Sequence, residues 1–370
     1  MSTVNKDVTR QWVSMPGGSC DLRVGKGAID AMGSILKGSV GKPRVCALAS
    51  DATASAKVRE QVRRQLTDAG FRVSEVTVPT GVSARTLAAV EQLAAELAAA
   101  KVTADDLICA IGGGDALSLC SFVSASWCGG TPLVHVPCDL LAAVEVGTVP
   151  WGIDIAGQPQ MLSVRLGAKY VICDLNVVKA DPDAPESLTA RALMATAAIC
   201  DSEAAVQHLW DRAELLVDGD VEILRDQMAE TAKSRGHIIS STSIATRQSA
   251  AFGQTFANAV ARLVGPDVPR GLLLAEAVRF QSRIAAATGI LKVDEVLTFD
   301  ELLDLLALDP VSCDVDPDAL VEALKAERFL RSNRFILCLP RGIGRVRPAS
   351  VDDDVLHEHV EAWCASRAAL

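Results

Sequence analysis

Aromatic residues are scarce in this 370-residue sequence, which has a single tyrosine and only 4% phenylalanine, tryptophan and tyrosine together. Basic residues are also in the minority, since 36 lysines and arginines stand against 46 aspartates and glutamates, for a net charge of −10. A chain with this balance repels nucleic acid and anionic lipid, which are themselves negatively charged. We therefore expect no nucleic-acid or membrane partner, and an anionic small molecule needs a local basic pocket.

Long apolar runs are missing as well. No stretch approaches the roughly 18 apolar residues of a membrane-spanning helix, and segment 1–13 carries Lys6, Asp7 and Arg10 instead of the apolar core of a signal peptide. The eleven cysteines contain no CxxC spacing, and an odd number cannot all form disulfides within one chain. These absences predict a soluble, cytoplasmic protein in a reducing compartment.

Apolar residues nevertheless make up 49% of the chain, which is enough for a substantial core. In the first half, strand-like runs alternate with segments of helical spacing, and the second of those helices has Ser83 as its expected N-cap. This alternation predicts an α/β domain with a doubly wound, Rossmann-like parallel sheet covered by helices on both faces. The predicted strands are 44–50, 72–78, 107–111, 132–136 and 170–173, and the predicted helices are 54–69, 84–100 and 116–126.

The composition changes at 179–185, and beyond it strands almost vanish. A single β-type run, 334–339, interrupts a series of helical patterns. We therefore predict a Rossmann-like nucleotide-binding domain over 1–182 and an all-α domain over 183–370. The predicted helices are 188–210, 221–235, 254–263, 272–288, 299–306, 317–326 and 351–365.

Three glycines, Gly112, Gly113 and Gly114, stand directly between a buried strand and a helix. Such a turn leaves backbone N–H groups uncovered at a helix N-terminus, where a pyrophosphate can bind. The motif is not GxGxxG, so a tight connection without a ligand is the alternative. Asp51 ends the first strand of the series and is suited to bond a ribose hydroxyl, or else to cap the next helix.

Three segments together resemble the 3-dehydroquinate synthase family, also called sugar phosphate cyclases: IGGGDALSLCSFVSASWCGGTPLVHVPCDLLAAVE (111–145), GAKYVICDLNVV (167–178) and RQSAAFGQTFANAV (247–260). The resemblance implies an N-terminal NAD-binding domain, a C-terminal metal-binding helical domain, an active site between them and a homodimer. It also implies a reaction in which NAD transiently oxidises a substrate alcohol, phosphate is eliminated, the ketone is reduced again and a ring closes by an aldol step.

The residues that would hold the family's metal ion are replaced. Where the family has A-E-V-I-K, this chain has Thr196 for the ligand Glu and Ile199 for the Lys. The family's F-G-H-T-F-G-H and H-G-E-A-V place Gln254, Asn258 and Leu274 at histidine positions. Amides, a hydroxyl and an aliphatic side chain cannot replace one Glu and two His around a dication. We therefore predict that the protein has no catalytic metal.

Several active-site cations of the family are also absent. No lysine occurs between Lys101 and Lys169, so the G-G-K-T-G loop expected over 145–154 has none. Gly129 stands where the family has an Arg that reaches a neighbouring subunit, and the late D-K-K falls at Glu327 and Arg328. With so few cations, the pocket would leave the negative charge of a phosphorylated substrate largely without positive partners.

Two cations remain, because Lys233 and Arg247 keep the spacing of a conserved pair on the C-domain wall of the family's site. They are expected to bind a carboxylate, unless they are ordinary surface residues. Glu276 also remains, with a structural or hydrogen-bonding role favoured over that of general base. Gln254 and Asn258 lie one helical turn apart, so both amides can face one space and donate to a substrate carbonyl. These five residues are the predicted catalytic set.

The cofactor half is only partly preserved, which leaves retention of NAD open. Val82, Ser118 and Cys138 replace family residues of the nicotinamide and ribose contacts. The residues still expected to bind NAD are Asp51, Gly81, Arg85, Gly112, Gly113, Gly114, Asp139 and Glu145.

Other candidates are weaker. His135 lies within a strand and is best interpreted as a core histidine, whereas His237 could face the cleft. His357 and His359 fall on a helix that we expect to be exposed. Cys138 and Cys200 flank the former active site and would be nucleophiles only if a nearby cation lowered their pKa; buried thiols without a role are the simpler interpretation.

These observations predict a diverged, metal-independent cyclase or lyase of bacterial specialised metabolism that acts on a small anionic or polyketide-like substrate in the interdomain cleft. The alternative is a catalytically inactive protein that stabilises or regulates a partner, with Trp151, Ile199 and Leu274 filling the cleft. An iron-dependent alcohol dehydrogenase of similar fold would need Asp and His ligands that the helical half lacks.

Overall fold

The computed structural model describes residues 7–37, 45–145, 151–165 and 167–370. By their contacts these residues form two compact units. The first contains the chain up to Lys179 together with Met228–Gly236, and the second contains Ala180–Gln227 and His237–Leu370. The chain therefore changes unit after Lys179 and returns to the first unit for the middle of one long helix.

The first unit is built on a mostly parallel sheet. Within the described residues, seven strands lie in the order β1-β2-β9-β6-β5-β3-β4, and every neighbouring pair is parallel except β1 and β2. The strands are β1 (Val8–Met15), β2 (Gly18–Gly25), β3 (Val45–Ser50), β4 (Arg72–Thr77), β5 (Leu107–Gly112), β6 (Leu133–Pro137), β7 (Trp151–Ile155), β8 (Gln158–Val164) and β9 (Tyr170–Asp174). The helices are α1 (Met32–Lys37), α2 (Ala56–Asp68), α3 (Leu87–Ala100), α4 (Gly114–Ser126) and α5 (Leu140–Glu145).

The predicted parallel sheet is thereby confirmed. Strands β3, β5, β6 and β9 are buried along their whole length, because their apolar sequences can be covered on both faces. Helix α2 places Val58, Val62 and Leu66 on one face at four-residue spacing, and this face packs into the core with Leu48 and Ile111.

Two local features of this unit differ from the prediction. The hairpin of β1 and β2 adds an antiparallel edge that the sequence pattern had not indicated, because β1 is a partly exposed edge strand in which polar and apolar residues are mixed. Helix α3 is capped by Thr86, whose hydroxyl accepts a hydrogen bond from Ala89 N, and not by Ser83. Ser83 lies in a short 3₁₀ turn and its hydroxyl donates to Thr80 O.

The second unit is helical, as predicted. Its helices are α6 (Pro185–Asp201), α7 (Glu203–Val217), α8 (Val221–Ser240, whose middle belongs to the first unit), α9 (Ile244–Gln248), α10 (Gln254–Val264), α11 (Arg270–Ala287), α12 (Val293–Leu305), α13 (Pro317–Phe329) and α14 (Asp353–Ala368). One hairpin, β10 (Ile336–Pro340) and β11 (Val346–Ser350), accompanies them. Helices α6 and α11 form the buried centre, and Gly271 lets them approach closely, since a Cβ there would lie 2.3 Å from Leu188 C.

The single helix predicted over 188–210 is wrong. Ser202 interrupts it with extended backbone angles, φ −163° and ψ 158°, and its hydroxyl accepts from Ala205 N to begin α7. A serine can compete for backbone N–H groups in this way, so it favours an N-cap over a helix interior. Across the described ranges, no helix combines the length and apolar character that crossing a bilayer requires.

Candidate functional site

The glycine turn connects β5 to α4 and keeps its backbone accessible. Gly112 has φ 149°, and a Cβ there would lie 2.3 Å from Asp51 Oδ1, so only glycine fits beside that carboxylate. Gly113 N lies 3.4 Å from Asp51 Oδ2, to which it donates. Apart from the backbone of its own helix and its chain neighbours, no atom of the described residues lies within 4 Å of a Cβ built at Gly114, so the first turn of α4 faces open space among them. An anionic group can therefore approach the N-terminus of this helix.

Asp51 is buried at the carboxyl end of β3, and its carboxylate organises this turn. Its Oδ1 accepts a hydrogen bond from Thr53 N at 3.0 Å, in addition to the bond from Gly113. The alternative that Asp51 caps the next helix is wrong, because the Ser55 hydroxyl accepts from Val58 N at the start of α2. Asp51 is thus held against the glycine turn, at the end of the strand where the sequence pattern predicts a ribose-binding acid.

Arg85, the cation expected at the cofactor, is already engaged by two carboxylates. It ends a 3₁₀ turn that begins at Gly81, which has φ 69°. Its Nη1 lies 2.5 Å from Asp115 Oδ1 and its Nε lies 3.2 Å from Asp154 Oδ2. Asp115 stands in the first turn of α4, so a negative side chain shares the helix N-terminus that an anionic ligand would use.

The remaining cofactor candidates lie along α5. Asp139 caps this helix, since its Oδ1 accepts from Ala142 N at 2.7 Å. Glu145 is half-buried at the last residue of α5. The expected phosphate loop, residues 146–150, lies outside the described residues, and so does the side chain of Trp151. Taken together, the open glycine turn and the ordered Asp51 carboxylate fit the phosphate and ribose of a dinucleotide.

Cys138, beside Asp139, does not have the properties of a nucleophile. Burial, together with the nearby carboxylates of Asp51 and Asp139, raises the pKa of its thiol to about 12. Cys200 is buried in the second unit and its Sγ lies 3.5 Å from Ser249 O. The groups that shift the pKa of Cys138 include no cation that would stabilise a thiolate.

The positions at which the resemblance expects metal ligands do not form a metal site. Thr196 and Leu274 are buried, and the Thr196 hydroxyl donates to Leu193 O within its own helix. Among the residues that the structure describes, no group of three or more His, Cys, Asp or Glu could hold a metal ion. Hydroxyl, amide and aliphatic groups do not fit the ligand set of a catalytic divalent metal.

The two amides on α10 are bonded to neighbouring side chains. Asn258 Nδ2 donates to Glu327 Oε1 at 2.6 Å, and Arg262 Nη2 lies 2.5 Å from the other oxygen of this buried carboxylate. Gln254 Oε1 accepts from Arg270 Nη2 at 2.7 Å. The Nε2 group of Gln254 has no acceptor among the described residues, so it is the group of this pair that can donate to a substrate.

Glu276 is fully buried and participates in an internal ion pair. Its carboxylate accepts from Arg367 Nε at 2.9 Å, from Trp363 Nε1 at 2.7 Å and from Val311 N at 3.0 Å. Because Arg367 Nε contacts both oxygens, these three donors make four hydrogen bonds to the carboxylate. Glu276 therefore has little capacity left to remove a proton from a substrate. The contacts favour the structural role over that of a general base.

The two retained cations lie in different units. Lys233, in the first unit, has its Nζ 3.3 Å from Glu230 Oε1. Arg247, in the second unit, donates from Nη1 to the carbonyls of Ser241 and Thr242 at 2.6 and 3.0 Å, just beyond the C-terminus of α8. Arg247 has no carboxylate within ion-pair distance among the described residues. Their pairing around one substrate stays a prediction.

The histidines differ in environment. His135 is fully buried in β6, its Nε2 lies 3.0 Å from Ser121 Oγ, and burial lowers its pKa to about 3, as suits a neutral core histidine. His237 is exposed, and its Nδ1 lies 3.4 Å from Asp201 Oδ1. Its predicted position facing the cleft is not tested by these contacts.

Several residues that shape these positions were not identified from the sequence. Arg262 could have been found, because it lies one helical turn after Asn258 on α10. From the sequence, Glu327 was identified only as the replacement of a family lysine. No local sequence pattern indicates its hydrogen bond to Asn258. Arg270 and Arg367 lie far from their partners in sequence, so only tertiary structure brings them together.

Comparison with known proteins confirms the resemblance. Residues 75–186 match the family model described as 3-dehydroquinate synthase N-terminal. The 3-dehydroquinate synthase of Symbiobacterium thermophilum is 25% identical over 336 residues, which cover 89% of this chain and 92% of that protein. These similarities extend over both units.

Solved structures share the fold. A 2-deoxy-scyllo-inosose synthase complexed with carbaglucose-6-phosphate, NAD+ and Co2+ aligns with a TM-score of 0.82 at 14% identity, over 96% of this chain and 100% of that one. The 2-epi-5-epi-valiolone synthase of Streptomyces hygroscopicus, with NAD+ and Zn2+ bound, aligns with a TM-score of 0.75 at 18% identity, over 96% and 98%. At such low identity the likeness shows the fold alone.

Proposed function

Since this chain is a relative of the 3-dehydroquinate synthases over nearly its whole length, we propose that it is a diverged enzyme of bacterial specialised metabolism that works without a catalytic metal. Its substrate is a small anionic or polyketide-like molecule, and its reaction is a cyclisation or a lyase step. The family's homodimer is part of the same proposal.

The observation that carries this proposal is the state of the former ligand positions. Thr196 stands at the position of the ligand Glu, and Gln254, Asn258 and Leu274 stand at histidine positions. Thr196, Gln254 and Asn258 make hydrogen bonds within the second unit, and Leu274 is buried. Bringing a dication there would need at least three new ligands, because these groups lack the charge and lone pairs that hold it. A reaction at this position therefore depends on hydrogen bonds and charge from the protein itself.

Arg247 supports an anionic substrate. Its guanidinium donates only to neutral carbonyls among the described residues, so its positive charge is not neutralised by a carboxylate. A substrate carboxylate can supply that counter-charge through charge-assisted hydrogen bonds. In this proposal Lys233 adds a second cation and Gln254 Nε2 donates to a substrate carbonyl, so both act by binding and orienting the reacting groups.

NAD is treated as an optional cofactor in this proposal. Gly112, Gly113 and Gly114 would hold its pyrophosphate and Asp51 a ribose hydroxyl, and the cofactor would supply hydride transfer when bound. Arg85, which is paired with Asp115 and Asp154, would need to release one carboxylate to contact it.

The test measures binding and turnover on one purified sample. The metal content is determined by elemental analysis. Thermal unfolding is followed with and without zinc and NAD. Turnover is then measured with the seven-carbon ulosonate phosphate used by dehydroquinate synthases, in the presence of zinc and NAD. We expect no stoichiometric metal, no stabilisation by zinc and no dehydroquinate, since a ligand that binds the native state raises its apparent stability. Stoichiometric metal or formation of dehydroquinate would contradict the proposal.

The catalytic role of Arg247 is tested in the producing pathway. We expect Arg247→Ala to abolish the product of the step and to leave its precursor, whereas Arg345→Ala, at an exposed arginine of the β10–β11 turn, has no effect. Unchanged product with Arg247→Ala would argue against an active enzyme.

One observation favours the second candidate, an inactive protein that stabilises or regulates a partner. Leu274 and Ile199 are fully buried in the core of the helical unit, and Leu274 Cδ2 lies 3.6 Å from a Cβ built at Gly253, next to Gln254. Apolar side chains thus fill space beside the former ligand positions. This candidate predicts that deletion of the chain stops the pathway, whereas Arg247→Ala and Gln254→Ala variants sustain it.

A further inference from the structure

A pocket of about 240 Å³ opens in the helical unit between α11 and α14. Its lining combines cationic, hydroxyl and aromatic side chains. The residues that matter here are Arg279, Arg283, His359, Trp363, Ser366 and Arg367. Among the residues that the structure describes, no aspartate or glutamate lines this pocket, which we call the arginine pocket. Its wall therefore contains guanidinium groups but no carboxylate.

The α14 side of this arginine pocket is one continuous helix face. His359, Trp363, Ser366 and Arg367 recur at the i, i+4, i+7 and i+8 spacing, which places them on the side that faces α11. A face that serves only packing would carry apolar residues at this spacing. Here a single aromatic ring, Trp363, is accompanied by three hydrogen-bonding side chains.

Each of the three arginines is paired with a carboxylate that does not line the pocket. Arg367 contacts the fully buried Glu276 through Nε alone, while Nη1 donates to Ser366 Oγ at 3.1 Å. Nη2 of Arg367 has no acceptor among the described residues. The terminal edge of this guanidinium, with two parallel N–H groups, is therefore not occupied by a carboxylate and can bind an oxyanion in the bidentate manner.

The α11 side is held rigidly by similar pairs. Arg279 is buried, with its Nη2 2.7 Å from Asp304 Oδ1, and Arg283 bonds Asp300 at 2.8 Å while 48% of its side chain stays exposed. Both guanidinium groups are thus fixed in place by α12 without a ligand. Preorganised donors bind an anion at a smaller entropic cost than mobile ones.

We propose that the arginine pocket binds a small organic oxyanion, a carboxylate or a phosphate carried on an apolar fragment. The oxyanion contacts the terminal edge of Arg367, with Arg283 at the entrance, and the apolar fragment packs on Trp363 and Phe280. The volume is below the roughly 300–1,000 Å³ of pockets for drug-sized ligands, which limits the ligand to a few carbon atoms or one ring. This site is independent of the proposed catalytic function.

The experiment measures the affinity of three probes at constant ionic strength by calorimetry: inorganic phosphate, phenyl phosphate and benzoate. We expect saturable binding of phenyl phosphate or benzoate, and the tighter of the two identifies the oxyanion. Inorganic phosphate is expected to bind more weakly by about tenfold, since it lacks the contact with Trp363. If no probe saturates, or if inorganic phosphate binds as tightly as both organic probes, the proposal is wrong.

Variants locate the binding. Arg283→Gln and Ala362→Leu change partly exposed positions and should fold, and each is expected to weaken binding by about tenfold or more, through a lost charged hydrogen bond or a blocked volume. Arg367→Lys keeps a cation beside Glu276 but removes the pair of terminal N–H groups, and we expect a similar loss of affinity. Arg345→Gln is the matched control elsewhere in the unit and should retain full affinity. Equal losses in Arg345→Gln, or none in Arg283→Gln and Ala362→Leu, would refute the site.

Discussion

Asn258 donates from Nδ2 to Glu327 Oε1 across 2.6 Å, so the residue at a position where the resemblance expects a histidine is bonded to the residue where it expects a lysine. The carboxylate of Glu327, 8% exposed, receives its second partner from Arg262. Two replacements that seem unrelated in sequence are therefore complementary in the structure, because a buried carboxylate needs the donors that an amide and a guanidinium provide. Asn258 is therefore part of a buried hydrogen-bond network with Glu327 and Arg262.

This relationship predicts the effect of Asn258→Asp. The variant faces Glu327 with a second carboxylate, and we expect it to lower the free energy of unfolding by about 2–3 kcal/mol, against about 1 kcal/mol for Asn258→Ala, which only removes the bond. Urea unfolding near neutral pH measures both. Gln207→Glu is the control, because it creates the same clash with Asp211 on the exposed surface of α7, where a few tenths of a kcal/mol are expected. Equal effects at the two sites would show that the network is not buried in solution.

Glu276→Gln should be among the most destabilising single changes in the helical unit. It removes the fully buried carboxylate that pairs with Arg367, and we expect the free energy of unfolding to fall by about 3–5 kcal/mol. The matched surface pair is Asp353 with Lys325, whose atoms lie 3.0 Å apart, and Asp353→Asn should cost less than about 1 kcal/mol. Chemical denaturation of both variants gives the comparison. A loss below about 1 kcal/mol for Glu276→Gln would contradict the buried ion pair.

His135 makes stability depend on pH. Its pKa is lowered to about 3 in the fold because burial disfavours the imidazolium, whereas the unfolded chain keeps a pKa near 6.5. The stabilising contribution is therefore complete above the unfolded pKa and is lost as the pH falls from 6.5 toward 3. Between about pH 7.5 and pH 5 we expect the chain to lose about 2 kcal/mol through this group.

The variant His135→Gln isolates this contribution, since an amide can still bond Ser121 but does not titrate. We expect the variant to show a flatter stability profile over the same interval, measured by urea unfolding at each pH. If the stability of His135→Gln depends on pH as steeply as that of the wild type, the pH dependence arises from other groups.

Cys138 should resist alkylation. With its pKa raised to about 12 by burial and by two carboxylates, its thiolate fraction near pH 8 is about one in ten thousand. Iodoacetamide should therefore modify the exposed Cys128 well before Cys138 in the native protein, as followed by peptide mass spectrometry. Comparable rates at the two cysteines would restore Cys138 as a candidate nucleophile.

The glycine turn offers a paired test. Gly112→Ala forces a methyl group to within 2.3 Å of Asp51 Oδ1 at a φ of 149°, and we expect it to destabilise the fold by about 2 kcal/mol or more. Gly114→Ala points into open space and should leave the unfolding temperature unchanged. If NAD binds at this turn, Gly114→Ala should nevertheless reduce the stabilisation that NAD produces. Equal stabilisation of wild type and Gly114→Ala by NAD would place the nucleotide elsewhere.

Much of the fold was predictable because its signals are local. Apolar runs such as 107–111 mark strands buried on both faces, and α10 and α13 begin within a residue of the predicted starts. The N-terminal hairpin escaped prediction because its edge strand mixes polar and apolar residues. The break at Ser202 escaped because one hydroxyl can end a helix without a glycine or a proline.

The sequence by itself determined the parallel sheet, the helical second half, the family resemblance and the loss of the residue types that bind a metal, since each of these depends on periodicity or on residue identity at a given position. Only the tertiary structure decided what the replacing residues do: Glu327 meets Asn258, Arg367 meets Glu276, and Arg85 is shared by Asp115 and Asp154. Such pairs are separated by 30 to 91 residues, and their contact arises from the packing of helices and strands, which no local pattern records.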